Sequence, residues 1–199
     1  NADIMDNAGS QAEGNRGLDY EQLRAMSRVD FIAAIIQTRV NQVAEFARPS
    51  RTGEDIGFKI QLKDQDATPT DAQRDLINKV YGFILTCGDP RLDFEATFEA
   101  FLRMLVRDSM TFDQACFEVV RTRGGGIAGF QIVDAATIRR SKMSGKERED
   151  GRRDPEGVHY VQVVKHKVTA EWNAKDFCFG IRRPRSDIRY KGYGYPELE

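Results

Sequence analysis

Apolar positions recur every three to four residues over the first half of the chain and alternate with polar ones over the second. Between Leu18 and about Ala47, Ile32, Ile35, Ile36, Val40 and Val43 fall at i, i+3, i+4, i+8 and i+11, the spacing of one helical face. Pro49 and the run Ser50-Arg51-Thr52-Gly53 close that helix. Phe58-Lys59-Ile60-Gln61-Leu62 alternates and predicts a short strand. Thr70 reads as the N-cap of a second helix, with Gln73 placed to complete a capping box. Leu76, Ile77, Val80, Tyr81 and Ile84 make its apolar face, and Gly88 and Pro90 end it. A third helix is expected from Asp93, with Phe94, Phe98, Phe101, Leu102, Leu105 and Val106 as an aromatic-rich stripe. Such a stripe is core rather than a cofactor box.

After Asp113 the period shortens to two. Cys116-Phe117-Glu118-Val119-Val120-Arg121 and Phe130-Gln131-Ile132-Val133 flank Gly124-Gly125-Gly126 and predict a hairpin. The charged stretch from Lys142 to Glu156 is an exposed loop. Val158 to Val164, Lys167 to Trp172 and Phe177 to Ile181 are three further strands. Helices first and strands second predict an α+β domain, with N-terminal helices packed on a largely antiparallel sheet.

Residues 1–17 are rich in Asn, Gly, Ala and Asp, bury almost nothing, and are expected to form an extended arm held by something outside the domain. Counting the 17 glycines raises the apolar share from 40% to roughly 49%, an ordinary globular composition. With 30 Lys+Arg against 31 Asp+Glu the net charge is −1, unlike the basic excess of a dedicated nucleic-acid clamp. The longest apolar run, Phe31 to Ile36, falls far short of the roughly 20 residues of a membrane span. No basic n-region opens the chain. Cys87, Cys116 and Cys178 are expected to be buried free thiols in a reducing compartment. At the other end, Pro196 suits a first helical position, and Glu197 and Glu199 suit the positive end of a helix dipole. The chain is therefore expected to be the front part of a larger protein.

Candidate chemistry is sparse. Gly124-Gly125-Gly126-Ile127-Ala128-Gly129 matches a dinucleotide loop literally, but a strand rather than a helix follows it, and hairpin geometry explains the glycines. His159 and His166 lack the companions of a metal site, and Ser109 lacks a base. Asp108 and Asp113 flank a helix end and are read as fixing a turn. No catalytic, metal or cofactor residue is assigned. Two basic clusters remain. Arg139, Arg140, Lys142, Lys146, Arg148, Arg152 and Arg153 are interrupted by acids, as in a solvated loop. Arg182, Arg183, Arg185, Arg189 and Lys191 carry Tyr190, Tyr193 and Tyr195 among them. This second cluster fits contacts to a neighbouring subunit or, as the alternative, sequence-independent binding to a nucleic-acid backbone.

The residues from Leu23 to Phe46, Arg107 to Gly125, Gly129 to Arg139, Tyr160-Val161-Gln162, Ala174 to Arg183 and Gly192-Tyr193-Gly194-Tyr195-Pro196-Glu197-Leu198-Glu199 come in a familiar order. It resembles the N-terminal, wing-domain half of the portal proteins of tailed double-stranded DNA bacteriophages. Those proteins often carry a Gly-Tyr-Gly-Ser-Pro-Leu-Glu type sequence where the wing hands over to the stem helix. Here Tyr195 stands at the Ser position, and Glu197-Leu198 inverts the Leu-Glu order. The resemblance implies an arm at 1–17, a wing over 18–191, and at 192–199 a hinge and the start of a stem. In the hinge, Gly192 and Gly194 would supply backbone angles barred to other residues, and Pro196 would open the helix. It also implies a dodecameric ring at one capsid vertex that seeds assembly and passes double-stranded DNA. Its further partners would be the capsid or scaffolding protein, the terminase motor and a head–tail adaptor. Assembly would occur in the host cytoplasm, with no cofactor, no catalysis and no membrane.

Overall fold

The computed structural model describes residues 18–50, 52, 55–64, 67–88, 97–141, 157–184, 186 and 193–198. Helices α1 (Tyr20–Met26), α2 (Asp30–Ala44), α3 (Asp71–Leu85) and α4 (Phe98–Phe112) come first. Strands β1 (Gln114–Arg121), β2 (Ile127–Ile132), β3 (Ile138–Arg140), β4 (Tyr160–Val164), β5 (Lys167–Trp172) and β6 (Phe177–Ile181) follow. The domain is α+β, with its strands in two three-stranded antiparallel sheets, β2-β1-β6 and β3-β4-β5, rather than in one.

The long first helix of the sequence reading is two helices. Asp19 caps α1 through a box with Gln22 (2.7 and 2.9 Å), and Ser27 ends it. Tyr20 and Leu23 are buried from α1, whereas Ile36, Val40 and Ala44 are buried from α2. At about 100° per residue, Leu23 and Ile36 on one straight helix would point roughly 140° apart. The break at 27–29 lets both faces reach the core. Ile35, expected on the core face, is 45% exposed. The expected strand over Phe58–Leu62 is reduced to one bridge between Phe58 and Pro49, and Tyr81 Oη accepts the Ile60 N–H there (2.9 Å). Thr70 and Gln73 form the anticipated box on α3, yet that helix buries no residue fully and leaves Leu76 60% exposed. α4 begins at Phe98 behind the N-cap Thr97; its expected start at Asp93 lies outside the described residues.

Phe112, Cys116, Ala135, Ile138 and Phe177 join Tyr20 and Leu23 in the main core. Full burial of an aliphatic side chain such as Leu23 contributes about 1.5–3 kcal/mol. Two aromatic chains extend this core. Phe101, Phe117 and Phe130 meet edge-on or tilted at 5.4–6.4 Å under α4. Tyr160 lies 5.1 Å from Phe177 and 5.5 Å from Phe179, joining β4 to β6 and so one sheet to the other. The β1–β2 hairpin turns at the triple glycine, where Gly125 takes φ +82, and Gly129 lies inside β2; the strand expected after the glycines is present. The β4–β5 turn places Lys165 (φ 49) and His166 (φ 61) in the left-handed region, at a cost of about 1 kcal/mol or more each for non-glycine residues. β3 was not anticipated. Its Arg139 is buried, donates from Nη1 to the Ala136 and Ile138 carbonyls (2.6 and 3.0 Å), and stacks over Tyr20 at 4.8 Å. Cys87 and Cys116 are buried, but Cys178 is exposed, contrary to expectation.

Candidate functional site

Asp113 ends α4 in the left-handed conformation (φ 56), which turns the chain directly into β1. Asx residues tolerate that region better than most. The role of turn-former read from the sequence is therefore present, but it is the smaller part. Asp113 is fully buried, and its Oδ2 accepts the main-chain N–H groups of Arg183 (3.0 Å) and Tyr195 (3.1 Å). Arg182 Nε stands 3.6 Å from Oδ1. Burial pushes the Asp113 carboxyl above its usual range, while the two N–H groups and Arg182 pull it back. One carboxylate thus holds both the chain leaving β6 and the last described segment, 193–198.

That segment is packed. Tyr193 is buried, its Oη accepts the Arg140 N–H (2.8 Å), and its ring meets Phe179 edge-on at 6.0 Å. Pro196 is among the most deeply buried side chains, and Leu198 packs against the core. Gly194 lies against Asp113 so closely that a Cβ there would come within 2.3 Å of the Asp113 carbonyl oxygen and 2.5 Å of Oδ2. Its φ is not in the left-handed region, so the angle expected of this glycine is not what the position requires; it requires space. The described residues stop short of the helical turn expected from Pro196, with 197–198 in a turn.

Of the second basic cluster, Arg182 and Arg183 are described. Arg182 pairs with Glu197 at 3.2 Å as well as with Asp113, and its Nη1 lies 3.1 Å from Met110 Sδ; Arg183 also pairs with Glu197. Arg185, Arg189, Lys191 and Gly192 lie outside the described residues. The structure therefore brings Arg182, Arg183 and Gly194 together around Asp113, with Pro196 buried two residues further on. Sequence reasoning missed the carboxylate at the centre, whose partners lie 70 and 82 positions further on. The one available signal was an Asp closing an aromatic helix directly before a strand.

A cleft of about 720 Å³ lies elsewhere, between α1, the β3 region and the β4–β5 turn. Two of its lining residues are paired, Arg24 donating from Nη2 to both Asp134 carboxylate oxygens at 3.0 and 2.9 Å. Beside it, Asp108 Oδ2 accepts the Ala135 N–H (3.2 Å), and burial raises the Asp108 carboxyl to about 6. Among the described residues, no three His, Cys, Asp or Glu side chains converge as metal ligands, and no helix is long and apolar enough to cross a membrane.

These features define an α+β domain whose outgoing chain is clasped by a buried aspartate. Comparison with known proteins gives that domain its relatives. The chain is 33% identical over 181 residues to the probable portal protein of Enterococcus phage phiEF24C, and 34% identical over 184 residues to that of Staphylococcus phage Twort. Each match covers 90% of this chain and 31% of the relative. The chain is thus related to phage portal proteins over nine-tenths of its length, as the order of its elements indicated, and spans about a third of theirs. No family model matches it. A chain in the neck of an empty GTA particle, solved with C6 symmetry, superposes with a TM-score of 0.49 at 14% identity, over 95% of this chain and 43% of that one.

Proposed function

We propose that this chain is the wing-like N-terminal part of a portal subunit, with 1–17 as an arm, 18–191 as the wing and 192–199 leading toward a stem helix. Copies associate head to tail and close into a ring by rotation. The ring sits at one capsid vertex, seeds shell assembly, docks the terminase motor, passes double-stranded DNA and later receives the head–tail adaptor. The subunit is assembled in the host cytoplasm and resides in the virion. No catalytic step and no cofactor enter this reading.

The observation that carries it is identity of about one third, sustained over 90% of the chain, to two proteins named as probable portal proteins. The clasp supports it physically. A domain that hands its chain to a rod gains from fixing the exit, and Asp113 ties that exit to the end of α4. Arg182 and Arg183 direct charge inward to Asp113 and Glu197, which favours a structural role over the nucleic-acid alternative. The protein produced from its complete gene is expected to form rings, seen by mass photometry and negative-stain microscopy. A folded, monodisperse monomer under assembly conditions overturns the proposal.

A further inference from the structure

Two helices hold pairs of apolar side chains out in water. On α2, Phe31 is 75% exposed and Ile35 45%, and they stand five residues before the buried Ile36 and Val40 respectively. Five residues turn a helix by about 140°, so this pair looks away from the core. On α3, Leu76 is 60% exposed and Val80 38%, whereas Tyr81 and Phe83 of the same helix turn to the rings of Phe58 and Phe130. A single exposed aliphatic residue is ordinary. Each of these pairs, however, is spaced i, i+4 and forms a strip along its helix. Both strips stay exposed, so neither covers the other within one chain.

The flanking charges say what would cover them. Asp30 adjoins Phe31, and Arg39 follows Ile35 by about one turn; on α3, Asp75 adjoins Leu76 and Lys79 adjoins Val80. Among the described residues the side chains of Asp30, Asp75 and Lys79 have no ion pair or hydrogen bond, and Arg39 uses Nη1 alone, toward Gln42 of its own helix at 3.1 Å. Laid antiparallel, α2 of one copy and α3 of another match in order. Phe31 meets Val80 and Ile35 meets Leu76, while Asp30 faces Lys79 and Arg39 faces Asp75. The parallel arrangement sets Asp30 against Asp75 and Arg39 against Lys79, like charge on like, which is unfavourable. Packing α2 on α2 of a second copy also pairs Asp30 with Arg39, but it leaves Leu76 and Val80 bare.

We infer that the outer face of α2 in one copy packs antiparallel on the outer face of α3 in the next, with Phe31 and Ile35 against Val80 and Leu76 and the four charges paired across the seam. The contact is heterologous, so any open row of copies keeps one α2 face and one α3 face uncovered until rotation closes it. The inference rests on the portal reading, which supplies the ring, and names the two surfaces that meet in it.

Paired cysteines test it in the protein produced from its complete gene. Phe31→Cys and Val80→Cys, both at exposed positions, are placed in one chain and treated with a bis-maleimide. The expected result is a ladder of linked copies, absent from the parent and from either single variant. Rings that form without the ladder overturn the inference and leave the portal reading standing, whereas a monomer overturns both. Dimers from Phe31→Cys alone place α2 on α2 and also overturn it. Lys79→Asp should lower the fraction of copies in rings at low salt, and Asp30→Lys added to the same chain should restore it. No loss, or a loss that Arg39→Asp repairs and Asp30→Lys does not, overturns the pairing.

Discussion

Gly194→Ala is the sharpest probe of the clasp. The added methyl would lie 2.3 Å from the Asp113 carbonyl oxygen, 2.5 Å from Oδ2 and 2.6 Å from Cβ, where ordinary contact is 3.4–4 Å. All three atoms belong to a fully buried aspartate, which leaves them little room to yield. The segment must therefore move by about 1 Å, enough to stretch the 3.1 Å bond from the Tyr195 N–H to Asp113 beyond useful reach. Overpacking of this kind costs about 1–3 kcal/mol. Leaving a buried acceptor short of a donor adds about 1–3 kcal/mol. Together these amount to about 2–6 kcal/mol, with a ceiling set by the docking energy of 193–198, because the segment can peel away instead. Two readouts separate the cases. Urea unfolding followed by Trp172, the only tryptophan, reports global stability, and hydrogen exchange at the Tyr195 amide reports the clasp. The expected result is a lost or strongly reduced Tyr195 protection, with a lower urea midpoint. A variant within about 0.5 kcal/mol of the parent that keeps Tyr195 protected refutes the argument.

Other expectations follow from the same structure. Gly82→Ala, in α3 with open space around its Cβ, should stabilise α3 by up to about 1 kcal/mol, read as slower amide exchange in that helix; unchanged or faster exchange would contradict it. Because burial raises Asp108 to about 6 in the folded state, its contribution to stability is fully present below the ordinary carboxylate range and lost as the pH rises through 6. Asp108→Asn should then stabilise the domain near pH 7.5, by at most about 3 kcal/mol, and have little effect near pH 4.5. Equal effects at both pH values in denaturation curves would exclude this. Arg182→Glu with Arg183→Glu sets new acids against Asp113 and Glu197 and should undock 193–198 while leaving the salt slope of any DNA binding unchanged; a slope reduced by about two would assign these arginines to phosphate contacts instead.

Local signals in the chain were legible and long-range ones were not. The α3 capping box needs only Thr70 and Gln73, three positions apart, and it forms. The β1–β2 hairpin follows from glycines between two alternating runs, and the change of period after Asp113 coincides with the change from helix to strand. The break between α1 and α2 was recoverable from the phase of Leu23 against Ile36 but was hidden by unbroken apolar periodicity after it. β3 escaped because Arg139 and Arg140 read as the start of a solvated basic loop. A buried guanidinium held by two carbonyls and an aromatic ring has no signature in the neighbouring residues. Of the aromatic stripe of α4, Phe101 is buried against Phe117 and Phe130 as expected, Phe98, Leu102, Leu105 and Val106 are partly buried, and Phe94 lies outside the described residues. The apolar face of α3 was also read correctly in sequence, but Leu76 and Val80 are exposed, since periodicity reports which side is apolar and not what covers it.

The exit segment is the instructive miss, because its composition and its physics point in opposite directions. Gly192-Tyr193-Gly194-Tyr195 looks loose, yet Gly194 is small so that the chain can lie against Asp113 rather than so that it can bend. A buried carboxylate is costly unless it is paired and hydrogen-bonded. The groups hydrogen-bonded to Asp113 Oδ2 are the main-chain N–H groups of Arg183 and Tyr195, which belong to the segments being fastened. The charge therefore needs the exit as much as the exit needs the charge. Losing either leaves polar groups of the other short of partners, so the junction should behave as a two-state latch rather than a graded hinge. In a portal subunit such a latch would pass a displacement of the outgoing chain directly to the end of α4, because no slack lies between them.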